Sequence, residues 1–276
     1  MSKKIKPKTE VHEYQAEMQK LLEILVHSLY TEREIFLREL VSNASDAMSK
    51  VQLTTLTEEK VLDKDAELEI KITFDENKHK LEIEDSGCGM TKEELISNLG
   101  TIANSGTLKF LQQAQAENKS AENLIGQFGV GFYSVFMVAE RVELTTRSWQ
   151  VDSQAWEWTS SGGGQYEITP AKYDQRGTRV TIFLKEDAKD FCSKWKLESI
   201  IKKYSNYLPF PVKVNDQTIN QVKAIWTQSK SDVEEEQYKE FFKQISHTAQ
   251  EPLHYMHFSI DAPIQYHALL YFPESV

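Results

Sequence analysis

The chain has 276 residues, more than one average domain, and its 40% hydrophobic and 11% aromatic content is sufficient for a packed core. Acidic residues outnumber basic ones by 42 to 32, for a net charge of -10, which argues against a nucleic-acid-binding surface. Two cysteines exclude a disulfide framework and cannot form a zinc site alone. Since no apolar run resembles a secretion signal or a membrane span, we expect a cytoplasmic protein without membrane contacts.

Two helices are predicted at the start of the chain. Apolar residues recur at helical spacing between Tyr14 and Tyr30. Thr31 to Glu34 reads as a capping box that opens a second helix, with an apolar face from Leu37 to Val51.

A β-hairpin and a third helix follow. Strict alternation from Leu68 to Phe74 and a second apolar pair at residues 81–84 predict antiparallel strands, the second ending at Asp85. The residues Thr91 to Glu94 form another capping box, which starts a helix.

The remaining predicted elements are several strands and two helices, and the sequence pattern changes at about residue 222. We predict a helix from Phe191 to Tyr204, then a new helix from Asp232 and a last strand at residues 266–272. We therefore expect an N-terminal domain at residues 1–221 and the truncated start of a second α/β domain at residues 222–276. The predicted strands of the first domain lie at residues 142–146, 156–159, 166–169 and 178–184.

One helix face carries polar residues suited to catalysis. Glu39, Asn43, Asp46 and Lys50 are spaced by 4, 3 and 4 residues and so share one face. Taken alone, such a row is most often only a solvated stripe. Asparagine is, however, a weak helix former, and its amide oxygen suits magnesium beside phosphate oxygens.

Two glycine clusters flank the predicted third helix. In Asp85–Met90 two glycines permit positive φ values and close approach to a ligand, although an ordinary Asp-x-Gly turn is an equal alternative. In Gly126–Phe132 the backbone amides could wrap an anion. Neither cluster is a P-loop or a dinucleotide fingerprint.

The order of these motifs resembles the ATPase superfamily of gyrases, chaperones, histidine kinases and mismatch-repair proteins. The segments Ile35–Ala47, Leu99–Ala103, Ser105–Thr107 and Gly126–Ser134 strongly resemble heat-shock protein 90 chaperones, in particular their bacterial type, from about Tyr14 onward. The resemblance implies a Bergerat-type ATP-binding fold, an α+β two-layer sandwich of a mostly antiparallel sheet with helices on one face.

The resemblance also implies roles for single residues. Glu39 would be the general base that deprotonates the attacking water, Asn43 would ligate Mg2+, and Asp85 would bind the adenine amino group. ATP or ADP would be bound by Asn43, Asp46, Ala47, Lys50, Asp85, Gly89, Met90, Asn98, Leu99, Asn104, Ser105, Gly106, Gln127, Phe128, Gly129, Val130, Gly131, Phe132 and Thr178. Many relatives carry lysine where this chain has Asn104, and an amide cannot supply that positive charge.

On this resemblance we expect an ATP-driven chaperone that remodels client proteins. A lid at about residues 99–125 would close over ATP, and the N-terminal domains would pair in a homodimer of the full-length protein. Because the resemblance places the arginine that completes the site past Val276, this piece should be a weak ATPase. Because dimerisation in this family rests on a C-terminal domain, we expect this piece to be mainly monomeric. The alternatives are the ATPase part of a topoisomerase, mismatch-repair protein or histidine kinase, and a binding module with an inactive site.

Overall fold

The computed structural model describes residues 9–13, 32–100, 131–221, 224–246, 248–260, 262 and 266–274. The chain divides into two compact units, Met1–Asn206 with Phe210–Asn220, and Tyr207–Pro209 with Gln221–Val276. The predicted helix between Tyr14 and Tyr30 and the lid from residue 101 onward lie outside the described residues. The boundary between residues 221 and 222 stays a prediction.

The described part of the first unit contains one sheet of nine strands in the order β1-β6-β5-β4-β7-β3-β2-β8-β9. All neighbouring strands are antiparallel except β2 and β8, which run parallel. The strands are β1 (Glu10–Glu13), β2 (Ile70–Asp75), β3 (Lys80–Asp85), β4 (Ala139–Arg147), β5 (Trp156–Ser160), β6 (Gln165–Pro170), β7 (Gly177–Leu184), β8 (Val212–Val214) and β9 (Gln217–Thr218).

Three α-helices and two 3-10 helices belong to this unit in the described ranges. They include α1 (Ile35–Thr57), α2 (Lys92–Gly100), the longer 3-10 helix Gly131–Met137 and α3 (Lys194–Tyr204). Helix α1 packs on β2, β3 and the 3-10 helix, and α3 packs on α1 and β8. This arrangement confirms the predicted sandwich of helices on a mostly antiparallel sheet. A shorter 3-10 helix, Glu186–Phe191, precedes α3.

The starts of two helices differ in how they are capped. Helix α1 begins at Ile35, later than predicted, and its N-cap Glu34 makes no side-chain capping bond. At the start of α2 the predicted capping box is present. The N–H of Thr91 donates to Glu94 Oε2 at 2.8 Å, and the N–H of Glu94 donates to Thr91 Oγ1 at 3.2 Å.

The core lies between α1 and the sheet. Phe36, Met48 and Val51 of α1 are fully buried, and α1 packs on β2 and β3, whose buried residues alternate along the chain. In β2, for example, Ile70 and Ile72 are buried and the intervening Lys71 is exposed. This packing fixes the polar face of α1 relative to the end of β3.

The second unit contains helix α4 (Glu235–Ser246) and the antiparallel pair β10 (His254–Ile260) and β11 (Tyr266–Phe272). Strand β11 coincides with the predicted strand, whereas β10 was not predicted. The core of the second unit includes Ile225, Val233 and Tyr238. No helix in the described ranges is long and apolar enough to cross a membrane.

Candidate functional site

The polar face of α1 contains one residue that is not solvated. Asn43, Asp46 and Lys50 are exposed, whereas Glu39 is only 9% exposed. Glu39 Oε1 accepts hydrogen bonds from Arg38 Nε at 3.1 Å and Arg38 Nη2 at 2.7 Å. Glu39 is therefore a fixed, nearly buried carboxylate, and the solvated-stripe alternative does not describe it. The side chains of Asn43 and Asp46 on the same face remain accessible to solvent.

Gly131 explains how the 3-10 helix can lie so close to Glu39. A Cβ atom at Gly131 would clash with Glu39 Oε2. The carbonyl of Gly131 accepts a hydrogen bond from Ser134 Oγ at 2.6 Å, which holds the first turn of the 3-10 helix. The next residue, Phe132, is buried and packs edge-on against Trp158 at 5.7 Å between ring centroids.

Asp85 is the last residue of β3 and lies opposite Thr178 of β7. Its Oδ1 accepts a hydrogen bond from the N–H of Gly87 at 2.8 Å. Burial raises the pKa of Asp85 to about 7, although hydrogen bonds from the backbone N–H groups of Gly87 and Thr178 act in the opposite direction. The carboxyl group is thus held in place and titrates near neutral pH.

The two glycines of the turn after Asp85 are required by two different neighbours. A Cβ atom on Gly87 would lie 2.6 Å from the Cβ of Ala47 in α1. Gly89 has a φ of 57°, and a Cβ atom there would clash with the carbonyl of Arg147 in β4. Both glycines are therefore needed because the turn is packed between α1 and β4.

Thr146 contacts the candidate site residues Met90 and Thr178 and was not predicted from the sequence. It is fully buried and accepts a hydrogen bond from the N–H of Met90 at 3.0 Å. Its Oγ1 also lies 3.0 Å from the carbonyl of Gly177 and 3.0 Å from Thr178 Oγ1. A signal was present, since Thr146 continues the inward alternation of Val142 and Leu144 with a polar residue.

Helix α2 brings two further predicted residues to this region. Asn98 Nδ2 contacts Met90 Sδ at 3.6 Å. Leu99 is buried, and its carbonyl accepts a hydrogen bond from Tyr133 Oη at 3.0 Å, which joins α2 to the 3-10 helix.

Seven predicted site residues lie outside the described ranges: Asn104, Ser105, Gly106, Gln127, Phe128, Gly129 and Val130. Their roles stay predictions.

Cys88 in the turn packs with Val51 and Val61, and burial raises the pKa of its thiol. This environment agrees with the packing role expected of a small buried side chain. The nearby Lys50 opposes the pKa rise. The second cysteine, Cys192, is also buried.

Comparison with known families identifies the family of the chain. The sequence model described as "Histidine kinase-, DNA gyrase B-, and HSP90-like ATPase" matches residues 30–181, more than half of the chain. The chain belongs to this ATPase family. The model described as "Hsp90 protein" matches residues 213–276, so the Hsp90 branch is indicated for the later part of the chain as well.

Similar proteins named "Chaperone protein HtpG" place the chain in the bacterial type of the Hsp90 family. The protein of Desulfitobacterium hafniense is 52% identical over 96% of this chain and 44% of its own length. Those of Chlorobium phaeobacteroides and Desulfotalea psychrophila are 49% and 46% identical, each over 95% of this chain and 42% of their own length. The chain therefore spans less than half the length of these relatives. The matches favour the chaperone branch over topoisomerases, mismatch-repair proteins and histidine kinases.

Proposed function

We propose that the first unit binds ATP and ADP at the turn after Asp85 and hydrolyses ATP as part of a molecular chaperone. Asp85 is the observation that carries this proposal. Because burying a carboxylate is costly, a residue in this position gains most from a ligand that donates a hydrogen bond to it. The amino group of adenine is such a donor, whereas guanine and hypoxanthine carry a carbonyl oxygen at that position.

The neighbours of Asp85 suit a purine base. Thr178 lies opposite it in the sheet, and Thr146 fixes both Thr178 and the N–H of Met90. We assign the base pocket to Asp85, Gly89 and Thr178, with Met90, Asn98 and Phe132 around the nucleoside. The absence of a side chain at Gly89 lets the turn approach the carbonyl of Arg147, which fixes the turn beside this pocket.

The face of α1 is assigned to the phosphates. Asn43 and Asp46 are exposed beside Glu39, and amide and carboxylate oxygens are the ligands that magnesium prefers. In the described ranges no group of three or more His, Cys, Asp or Glu could hold a metal ion. Beside the amide oxygen of Asn43, phosphate oxygens and water would therefore supply the remaining ligands of the magnesium ion. Bound Mg2+ would neutralise the charge of the phosphates.

Glu39 is assigned as the general base for the attacking water. Its Oε1 is held by Arg38, and its Oε2 lies against Gly131, where no side chain blocks it. Arg38 in turn lies over the ring of Tyr204 at 5.9 Å, which limits its freedom to leave. A carboxylate with one anchored oxygen can orient a water molecule without losing its own position.

The other parts of the proposal rest on the family resemblance. They are closure of a lid at about residues 99–125 over the nucleotide, pairing of N-terminal domains in a longer protein, and remodelling of client proteins. A cytoplasmic location, weak hydrolysis by this chain and its mainly monomeric state belong to the same group. Hydrolysis would be weak because, on the resemblance, the arginine that completes the site comes from a region past Val276.

The test is calorimetric titration of this chain with ADP and with inosine diphosphate, each in the presence of magnesium at pH 8. Loss of a hydrogen bond to a charged group costs about 1.5–3 kcal/mol, so we expect ADP to bind roughly 10- to 150-fold more tightly. Asp85→Asn should lose this preference, because its oxygen must accept from Gly87 and its NH2 group would then face the adenine amino group.

The exposed Asp174 provides the matched control, and Asp174→Asn should retain the wild-type preference. Equal affinity of the wild type for both nucleotides, or no binding of either, would contradict the proposed function.

A further inference from the structure

Arg176 is a buried cation that the proposed roles do not use. It is 2% exposed and directly precedes Gly177, whose φ is 115°. Its Nε is buried without a hydrogen-bond partner in the described ranges, and burial lowers the pKa of its guanidinium group. Such a group is costly to keep in the interior, so its remaining contacts are informative.

The guanidinium group joins two turns that are distant in sequence. Nη1 donates to the carbonyl of Gly87 at 3.2 Å, and Nη2 donates to the carbonyl of Asp63 at 3.3 Å. The backbone N–H of Arg176 donates to Asp63 Oδ2 at 3.2 Å. Asp63 itself adopts a φ of 50°, which marks the centre of the other turn.

The backbone groups of Gly87 and Cys88 in the turn after Asp85 have different anchors. The N–H of Cys88 donates to Ala47 in α1, and the carbonyl of Cys88 accepts from the N–H of Trp149 at 2.8 Å. The N–H of Gly87 donates to the Asp85 carboxylate. The carbonyl of Gly87 is held by a side chain, Arg176. Of these hydrogen bonds, loss of the Arg176 side chain removes only the one to the Gly87 carbonyl.

We infer that Arg176 is a positioning residue for base recognition: by holding the Gly87 carbonyl it fixes the orientation of the Asp85 carboxylate. The inference rests on the proposed function. The charge of Arg176 also acts on Asp85, since it lowers the pKa of that carboxyl group against the larger effect of burial. Loss of Arg176 should thus weaken the contact with an amino donor in two ways.

The experiment compares ADP with inosine diphosphate on the wild type, Arg176→Met and Arg176→Lys. Methionine is long and apolar and removes both the charge and the hydrogen bonds. Because the ADP preference comes from the Asp85 contact, we expect Arg176→Met to reduce it at least roughly tenfold while the affinity for inosine diphosphate changes little. Lysine keeps the charge but not the two-pronged donation, and should restore part of the preference.

Arg179→Met is the matched control. Arg179 lies three residues further along the chain, in β7, and donates to Glu84 rather than to the turn, so its loss should leave the preference unchanged. A purely structural role of Arg176 would lower both affinities equally, and this result would overturn the inference while leaving the proposed function intact.

A wild type without any ADP preference would overturn both the proposed function and the inference. If Arg176→Met does not fold, Arg176→Lys decides, since a wild-type preference in that variant would contradict a role for the paired hydrogen bonds.

Discussion

In the ligand-free chain, the free energy of unfolding of Asp85→Asn relative to the wild type should be larger at pH 8 than at pH 5. In the folded chain burial raises the pKa of Asp85 from 3.8 to about 7. Between these values the folded chain retains a proton that the unfolded chain has released. The free energy of unfolding therefore falls as the pH rises towards 7, and the stability present at low pH is lost. Asparagine has nearly the same shape and no charge to bury, so the free energy of unfolding of the variant should not fall in this way as the pH rises.

The size of the effect follows from the interval between the two pKa values. One pKa unit corresponds to about 1.4 kcal/mol, and roughly two pH units of the interval from pH 5 to pH 8 lie below the folded pKa. The stability difference between the variant and the wild type should therefore change by about 3 kcal/mol in favour of the variant. Any hydrogen bond that asparagine makes less well than aspartate with Gly87 or Thr178 adds nearly the same cost at both pH values and cancels in this difference.

Urea denaturation of both proteins at pH 5 and pH 8, without nucleotide and followed by circular dichroism, measures the effect. Asp174→Asn controls for the loss of one surface charge and should show little change. A stability difference between Asp85→Asn and the wild type that is equal at the two pH values would refute the assignment of a costly buried carboxylate. A change in the opposite direction would refute it as well.

Three further predictions concern the nucleotide and the base. ADP affinity should fall about tenfold from pH 8 to pH 6, because protonation of Asp85 with a pKa near 7 removes the acceptor; calorimetry showing no change would contradict this. Glu39→Gln should keep ADP affinity and reduce the phosphate release of this chain roughly 100-fold or more, and unchanged release would rule out Glu39 as the base. Gly131→Ala should displace Glu39, lower phosphate release and destabilise the chain by about 1–3 kcal/mol, which thermal unfolding checks against the wild type.

Local sequence signals predicted the elements that carry the site. Alternation gave the hairpin whose second strand ends at Asp85, and the capping box at Thr91 gave the start of α2, because both depend on residues close in sequence. Capping alone did not locate the start of α1 at Ile35. Its first turn is instead supported by ion pairs from Glu34 to Lys196 and Lys203 of α3, which no local pattern shows.

The long-range parts of the site could not be predicted in this way. Asp85 and Thr178 are opposite each other only because β3 pairs with β7, and strand order is not encoded in periodicity. The burial of Glu39 has the same origin. Helical spacing groups it with the exposed Asn43, and it is the approach of the 3-10 helix at Gly131 that covers it.

The distribution of anchors around the turn determines how its variants can be interpreted. Asp85 contributes one hydrogen bond to the turn, from Gly87, whereas Ala47 and Trp149 hold Cys88 through backbone groups that no side-chain replacement at position 85 removes. The turn should therefore keep its course in Asp85→Asn, and a lost preference for ADP reports the chemistry of the carboxyl group. Replacement of Arg176 is different, because it frees a carbonyl of the turn. For that variant the comparison of two nucleotides, rather than one affinity, separates a displaced carboxylate from a damaged fold.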